Sequence, residues 1–63
     1  MIYDIEISGD FNAVELTFTA MTETGKAFMA TMFGAGAVSV NIPKSKGEDF
    51  IRFIKANGYS INS

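Results

Sequence analysis

The chain has 63 residues, a net charge of −2, and neither cysteine nor histidine. This composition excludes a disulfide framework, thiolate chemistry, a histidine-based catalytic triad, and ordinary zinc, copper or haem ligation. The small net charge also excludes a strongly basic nucleic-acid clamp.

Two segments near the N-terminus alternate apolar and polar residues, as a strand with one wet face does. Residues 2–8 form the first segment and residues 13–20 the second, with turn residues between them. A second turn ends at Gly25, which is free to adopt a positive φ. We therefore expect two strands to open the chain.

The next two segments also predict strands. Residues 26–33 have apolar residues on both alternating faces, so we expect a central strand covered on both sides. Residues 37–42 alternate like the first two segments. Because a strand follows it, Gly34-Ala35-Gly36 indicates a hairpin turn rather than a dinucleotide-binding loop.

The C-terminal part of the chain predicts a helix. Ser45 and Glu48 match the capping box that begins a helix. From Phe50 onward, apolar residues recur at helical spacing, and the Asn-Gly pair at residues 57–58 predicts the end of the helix. Residues 59–61 are either a short last strand or a tail packed on the core.

Together these segments predict a single small α+β domain over residues 1–63. The expected architecture is a four-stranded antiparallel β-meander with one C-terminal α-helix packed on one face (β-β-β-β-α). The residues expected on the covered face of the sheet are Tyr3, Ile5, Ile7, Val14, Leu16, Phe18, Phe28, Ala30, Met32, Val38, Val40 and Ile42.

One helix covers only one face of a sheet, so we expect the reverse face to be open. Acidic residues of the first two strands would lie there beside apolar residues of the third, which is a surface that a partner protein could use. The candidate partner-binding residues are Ile2, Asp4, Glu6, Phe11, Glu15, Met29 and Phe33. The alternative is an ordinary solvated surface in which threonines half-shield the apolar residues.

Acidic and basic residues are unevenly distributed along the chain. Residues 1–25 carry five acidic and no basic residues, whereas residues 26–63 carry five basic and two acidic ones. Asp4, Glu6 and Glu15 would face water, so we expect no catalytic, cofactor-binding or metal-binding role for them. Weak binding of nucleic acid or another anion is the alternative function, through Lys44, Lys46, Arg52 and Lys55.

The leading hypothesis is a small non-enzymatic protein-binding module, an inhibitor or an adaptor. Inhibitors encoded by phages or mobile elements often have this size, which is analogy only. A chain this short, without disulfide or metal, has a marginal core, so we expect a homodimer. The absence of an 18-residue apolar stretch and of a signal-peptide pattern favours the cytoplasm and argues against a membrane partner.

Overall fold

Strands and helices follow one another in the order β-β-α-β-α-β, in a computed structural model that describes residues 2–9 and 12–62. The strands are β1 (Ile5–Ser8), β2 (Glu15–Ala20), β3 (Ser39–Pro43) and β4 (Ile61–Asn62), and the helices are α1 (Glu23–Phe33) and α2 (Lys44–Ala56). The predicted α+β class and the four-stranded sheet are confirmed. The prediction of a single helix is wrong.

Helix α1 occupies the segment that was predicted to be the third strand. The side chain of Thr22 accepts a hydrogen bond from the backbone N–H of Gly25 at 3.0 Å, which caps the first turn. Alanine, methionine and lysine in this segment also favour a helix. The apolar residues repeat at helical spacing and include Phe28, Met29, Met32 and Phe33. The apolar residues that the alternating pattern placed on two faces of a strand therefore lie on one side of a helix.

The Gly34-Ala35-Gly36 segment connects α1 to β3, so the prediction of a hairpin turn is wrong. Gly34 closes the helix: its N–H donates to the carbonyl oxygen of Ala30 at 2.9 Å. Its φ of 107° lies in a region that suits glycine. The chain then returns to the sheet as β3.

The strand order in the sheet is β3-β2-β1-β4. Strand β2 is antiparallel to both β1 and β3, as a meander requires, but β4 runs parallel to β1. Since β3 and β4 lie at opposite edges and run in the same direction, α2 must cross the sheet between them. The sheet is mixed, and the all-antiparallel prediction is wrong. Residues 61–62 form the short last strand that was one of two alternatives.

Helix α2 coincides with the predicted C-terminal helix. It begins at Lys44, directly after Pro43, and no side chain caps its N-terminus. The predicted capping box of Ser45 and Glu48 is not formed, because Ser45 already lies inside the first turn. The helix ends at Ala56, and Asn57 is its C-cap, so the predicted stop at Asn57 is confirmed. No helix in the described part of the chain has the length and apolarity needed to cross a bilayer.

The core lies between one face of the sheet and both helices. Residues paired across neighbouring strands, such as Ile5 with Ala20, point to this face together. Val14 and Val38 were expected in the core but are 82% and 47% exposed, because each precedes its strand. The buried core residues are Ile5, Phe18, Ala20, Phe28, Met29 and Ile54.

The reverse face of the sheet is polar, and no described helix packs on it. The Thr17 hydroxyl donates to the side-chain oxygen of Asn41 at 2.8 Å. The hydroxyls of Thr19 and Ser39 lie 3.3 Å apart. The predicted difference between the two faces is present, but the predicted apolar stripe is absent, because its residues belong to α1.

Candidate docking site

An apolar groove runs between the C-terminal half of α1 and the middle of α2. Its rim carries Met32, Phe33 and Phe53, which are 42%, 41% and 45% exposed. Half-buried Ile42 and Phe50 form its floor. The groove has a volume of about 360 Å³ and is open to solvent. We call these five residues the interhelical groove.

Aromatic contacts fix the walls of the interhelical groove. The ring of Phe33 meets that of Phe50 edge-on, with centroids 5.7 Å apart. Phe53 packs on Phe28 at 6.2 Å, and Phe50 meets the buried ring of Phe18 at 4.9 Å. Each such pair contributes about 0.5–1.5 kcal/mol beyond its buried area. The exposed rings are therefore held in place by the core rather than free to collapse.

The groove continues past Met32 and Phe53 into a second depression. Tyr59 lies there against Phe28, with ring centroids 4.7 Å apart. Thr31 also lines this end, and its hydroxyl donates to the carbonyl oxygen of Ala27, so it offers no unsatisfied donor there. The apolar surface therefore extends beyond the five residues of the interhelical groove.

Both signs of charge flank the groove on α2. Lys46 and Asp49 line its mouth. The Asp49 carboxylate accepts a hydrogen bond from Arg52, and both side chains are largely exposed. Since exposed ion pairs contribute little to stability, these charges remain available to orient an approaching molecule.

The structure separates most of the predicted partner-binding residues. The predicted place of Met29 on a sheet face is wrong, because it lies in α1 and is fully buried. Phe33 is at the surface, but on a helix and in the groove. Ile2 is 75% exposed and lines a small depression together with Met21 and Glu6, which is also a predicted partner-binding residue. This depression shares no lining residue with the groove. Phe11 lies outside the described residues.

The predicted acidic stripe is also dispersed. Glu6 and Glu15 do face the reverse side of the sheet. Glu6, however, lies opposite Thr19, four residues along β2 from Glu15, which is about 13 Å. Asp4 precedes β1, and its carboxylate is used inside the molecule.

Asp4 links the start of β1 with the start of α1 and the entry to β4. Its carboxylate accepts hydrogen bonds from the Thr22 hydroxyl at 2.6 Å and from the Ser60 N–H at 3.1 Å. Its carbonyl oxygen accepts the N–H of Met21 at 2.8 Å. The Thr22 bond, then the Ser60 N–H, lowers the pKa of Asp4 from its ordinary value. We call this set of contacts the Asp4 junction.

Helix α2 does not gather the predicted basic residues into one patch. At about 100° per residue, Lys46 lies on nearly the opposite side of the helix from Lys44. Lys55 shares the side of Lys44 but is about 17 Å further along the axis. Arg52 is paired with Asp49. The alternative function of anion binding therefore has no concentrated positive surface on this helix.

Two features typical of polar sites are absent from residues 2–9 and 12–62. No group of three or more acidic side chains lies close enough to hold a metal ion there. Every buried side-chain nitrogen or oxygen atom of that part of the chain has a hydrogen-bond partner. The interhelical groove differs from a polar site in that its lining is apolar apart from Lys46 and Asp49.

The sequence interpretation missed Met32 and Phe53 as surface residues. Two signals could have identified α1 and therefore the groove. Thr22 stands three residues before Gly25, where an N-cap side chain would reach. The four large apolar residues of α1, at positions 28, 29, 32 and 33, are spaced one and four apart, which is helical spacing.

Comparison with protein-family models, curated proteins and solved structures found no match to this chain. The function is therefore inferred from geometry and chemistry alone.

Proposed function

We propose that this chain is a small non-enzymatic protein-binding module, an inhibitor or an adaptor, that docks on a partner through the interhelical groove. One observation supports this most strongly: Met32, Phe33 and Phe53 expose apolar side chains along a single groove. Apolar surface that is contiguous and rimmed by polar residues is typical of interaction sites.

The partner presents a segment with two or three apolar side chains. The rings of Phe33 and Phe53 give rigid walls, while the flexible side chain of Met32 adapts to the shape of the inserted group. Lys46 and Asp49 act at the mouth, where they affect the rate and orientation of association more than the affinity.

The proposed function includes self-association as a homodimer. The described core contains six buried residues, while several large apolar side chains remain exposed. A small domain without disulfide or metal gains stability when a second subunit adds contacts outside the groove, and Val38 beside β3 is one such exposed apolar residue.

A peptide library displayed on phage tests the docking site. Selection on the wild-type chain is expected to enrich peptides with spaced Leu, Phe or Met residues. These peptides should bind the Met32→Lys/Phe53→Lys variant at least about tenfold more weakly, since one lost apolar contact of this size is worth about 1.5–3 kcal/mol. Binding is measured by isothermal titration calorimetry with a synthetic copy of the selected peptide.

The matched control places the same two charges on the reverse face, as Thr17→Lys/Thr19→Lys. Its affinity for the peptide should equal that of the wild type, and circular dichroism checks that both variants are folded. Absence of any enriched peptide, or equal binding by the groove variant, would contradict the docking site. Loss of binding in the control alone would move the site to the sheet.

A further inference from the structure

Strand β3 is an edge of the sheet, because it pairs with β2 on one side only among the described strands. Its residues Ser39–Pro43 include no charged side chain. Edge strands that must avoid pairing are commonly protected by charged residues or covered by another element. Pro43 blocks pairing at the C-terminal end of β3, whereas residues 39–42 carry no such protection.

The hydrogen-bond pattern shows which residues of β3 face outward. The carbonyl oxygen of Val38 accepts the N–H of Ala20 at 2.7 Å, and the N–H of Lys44 donates to Val14 at 2.9 Å. In an antiparallel ladder these bonds occur at every second residue. The backbone groups of Ser39, Asn41 and Pro43 therefore point away from β2, toward the free edge.

We propose that the free edge of β3 pairs with the same edge of a second copy of this chain, antiparallel about a twofold axis at Val40. This inference rests on the homodimer included in the proposed function. Ser39 then lies opposite Asn41 of the second copy, and each residue pair exchanges two backbone hydrogen bonds. An interface of this kind is self-complementary, as a twofold dimer requires.

Ala37 and Pro43, at the two ends of the free edge, select this register. If Ser39 faced Ser39, the carbonyl of Asn41 would need the N–H of Ala37, which already donates to Gly34 at 3.1 Å. If Asn41 faced Asn41, the carbonyl of Ser39 would meet Pro43, which has no N–H. The register centred on Val40 satisfies both donors and both acceptors of each copy.

The side chains are compatible with this pairing. Residues of equal parity lie opposite each other, so the apolar faces of both sheets align on one side and the polar faces on the other. Val38, which is 47% exposed, then lies beside Ile42 of the second copy. The two four-stranded sheets become one continuous sheet with all helices on one side.

Sedimentation equilibrium of three forms tests the edge. The wild type is expected to form a concentration-dependent dimer, and Asn41→Ala, which keeps the backbone N–H, should dimerise to a similar extent. Asn41→Pro removes one outward N–H per copy, and so two interface bonds, which should weaken dimerisation about thirtyfold or more. Circular dichroism checks that the proline variant retains its helices.

Amide hydrogen exchange of the wild type gives a second measurement that needs no substitution. The amides of Ser39 and Asn41 should exchange more slowly as the protein concentration rises through the dimer transition. A wild type that stays monomeric would overturn the homodimer itself. Two results would overturn pairing through the β3 edge and leave the groove proposal standing. One is a dimer whose Ser39 and Asn41 amides stay unprotected, and the other is a dimer that Asn41→Pro leaves intact.

Discussion

Replacing Gly25 with alanine is expected to destabilise the fold by about 3 kcal/mol, because the added methyl group has no space. A Cβ atom built at this position lies 2.2 Å from the backbone carbonyl oxygen of Asp4. That oxygen belongs to the Asp4 junction and cannot rotate away as a side chain could. Helix propensity alone predicts the opposite sign, since alanine stabilises a helix interior by about 1 kcal/mol relative to glycine.

Gly47 in α2 provides the matched control, since it is also a buried glycine inside a helix. There the added Cβ meets only the end of the Leu16 side chain, at 2.6 Å, and that side chain can change its rotamer. We expect Gly47→Ala to change stability by less than about 1 kcal/mol. Urea denaturation followed by circular dichroism measures both variants. Equal effects at the two sites would show that Asp4 does not constrain α1.

Asp4→Asn is expected to lower stability by about 1–2 kcal/mol at pH 7. The substitution removes the negative charge of the carboxylate, which accepts hydrogen bonds from the Thr22 hydroxyl and the Ser60 N–H. An asparagine can keep only part of this arrangement, since its amide NH₂ group is a donor where an acceptor is needed. Urea denaturation over a range of pH measures the difference from the wild type.

The pH dependence follows from the lowered pKa of Asp4. Its folded-state pKa lies below the ordinary value of 3.8, so the unfolded chain takes up the proton first as the pH falls. The stabilisation by Asp4 is therefore fully present above about pH 4 and is lost as the pH falls through the folded-state pKa. The gap between wild type and Asp4→Asn should be widest near neutrality and should close in acid.

Glu6→Gln, in β1 two residues after Asp4, is the control for the loss of a nearby carboxylate. The side chain of Glu6 has no hydrogen bond or ion pair among the described residues. Its substitution should leave the stability at pH 7 close to that of the wild type. If Asp4→Asn behaved like Glu6→Gln across the pH range, the Asp4 junction would have no energetic role.

The Asp4 junction also affects the docking site, because both depend on the position of α1. The Asp4 junction fixes the first turn of α1, and the last turn of the same helix carries Met32 and Phe33. A helix that shifts at its first turn also moves these two side chains relative to α2. Gly25→Ala should therefore weaken peptide binding even though Gly25 does not line the groove.

Local patterns in the sequence determined β1, β2, β3 and the C-terminal helix α2. Alternation identifies β1, β2 and β3 because one face of each strand is buried and the other is wet. The apolar spacing and the Asn-Gly pair identify α2 and its end. The composition alone excluded cysteine and histidine chemistry. These features depend on neighbours that are close along the chain.

Only the tertiary structure decided the features that depend on distant residues. In α1, apolar residues on both alternating faces also fit a buried strand, and the N-cap and spacing that favour a helix became decisive only through packing against α2. A two-residue strand such as β4 carries too little pattern to show that it pairs in parallel with β1. Asp4 resembled a solvated strand residue, but its hydrogen-bond partners lie 18 and 56 residues away. The groove exists because two helices, one of them unforeseen, lie side by side on the same face of the sheet.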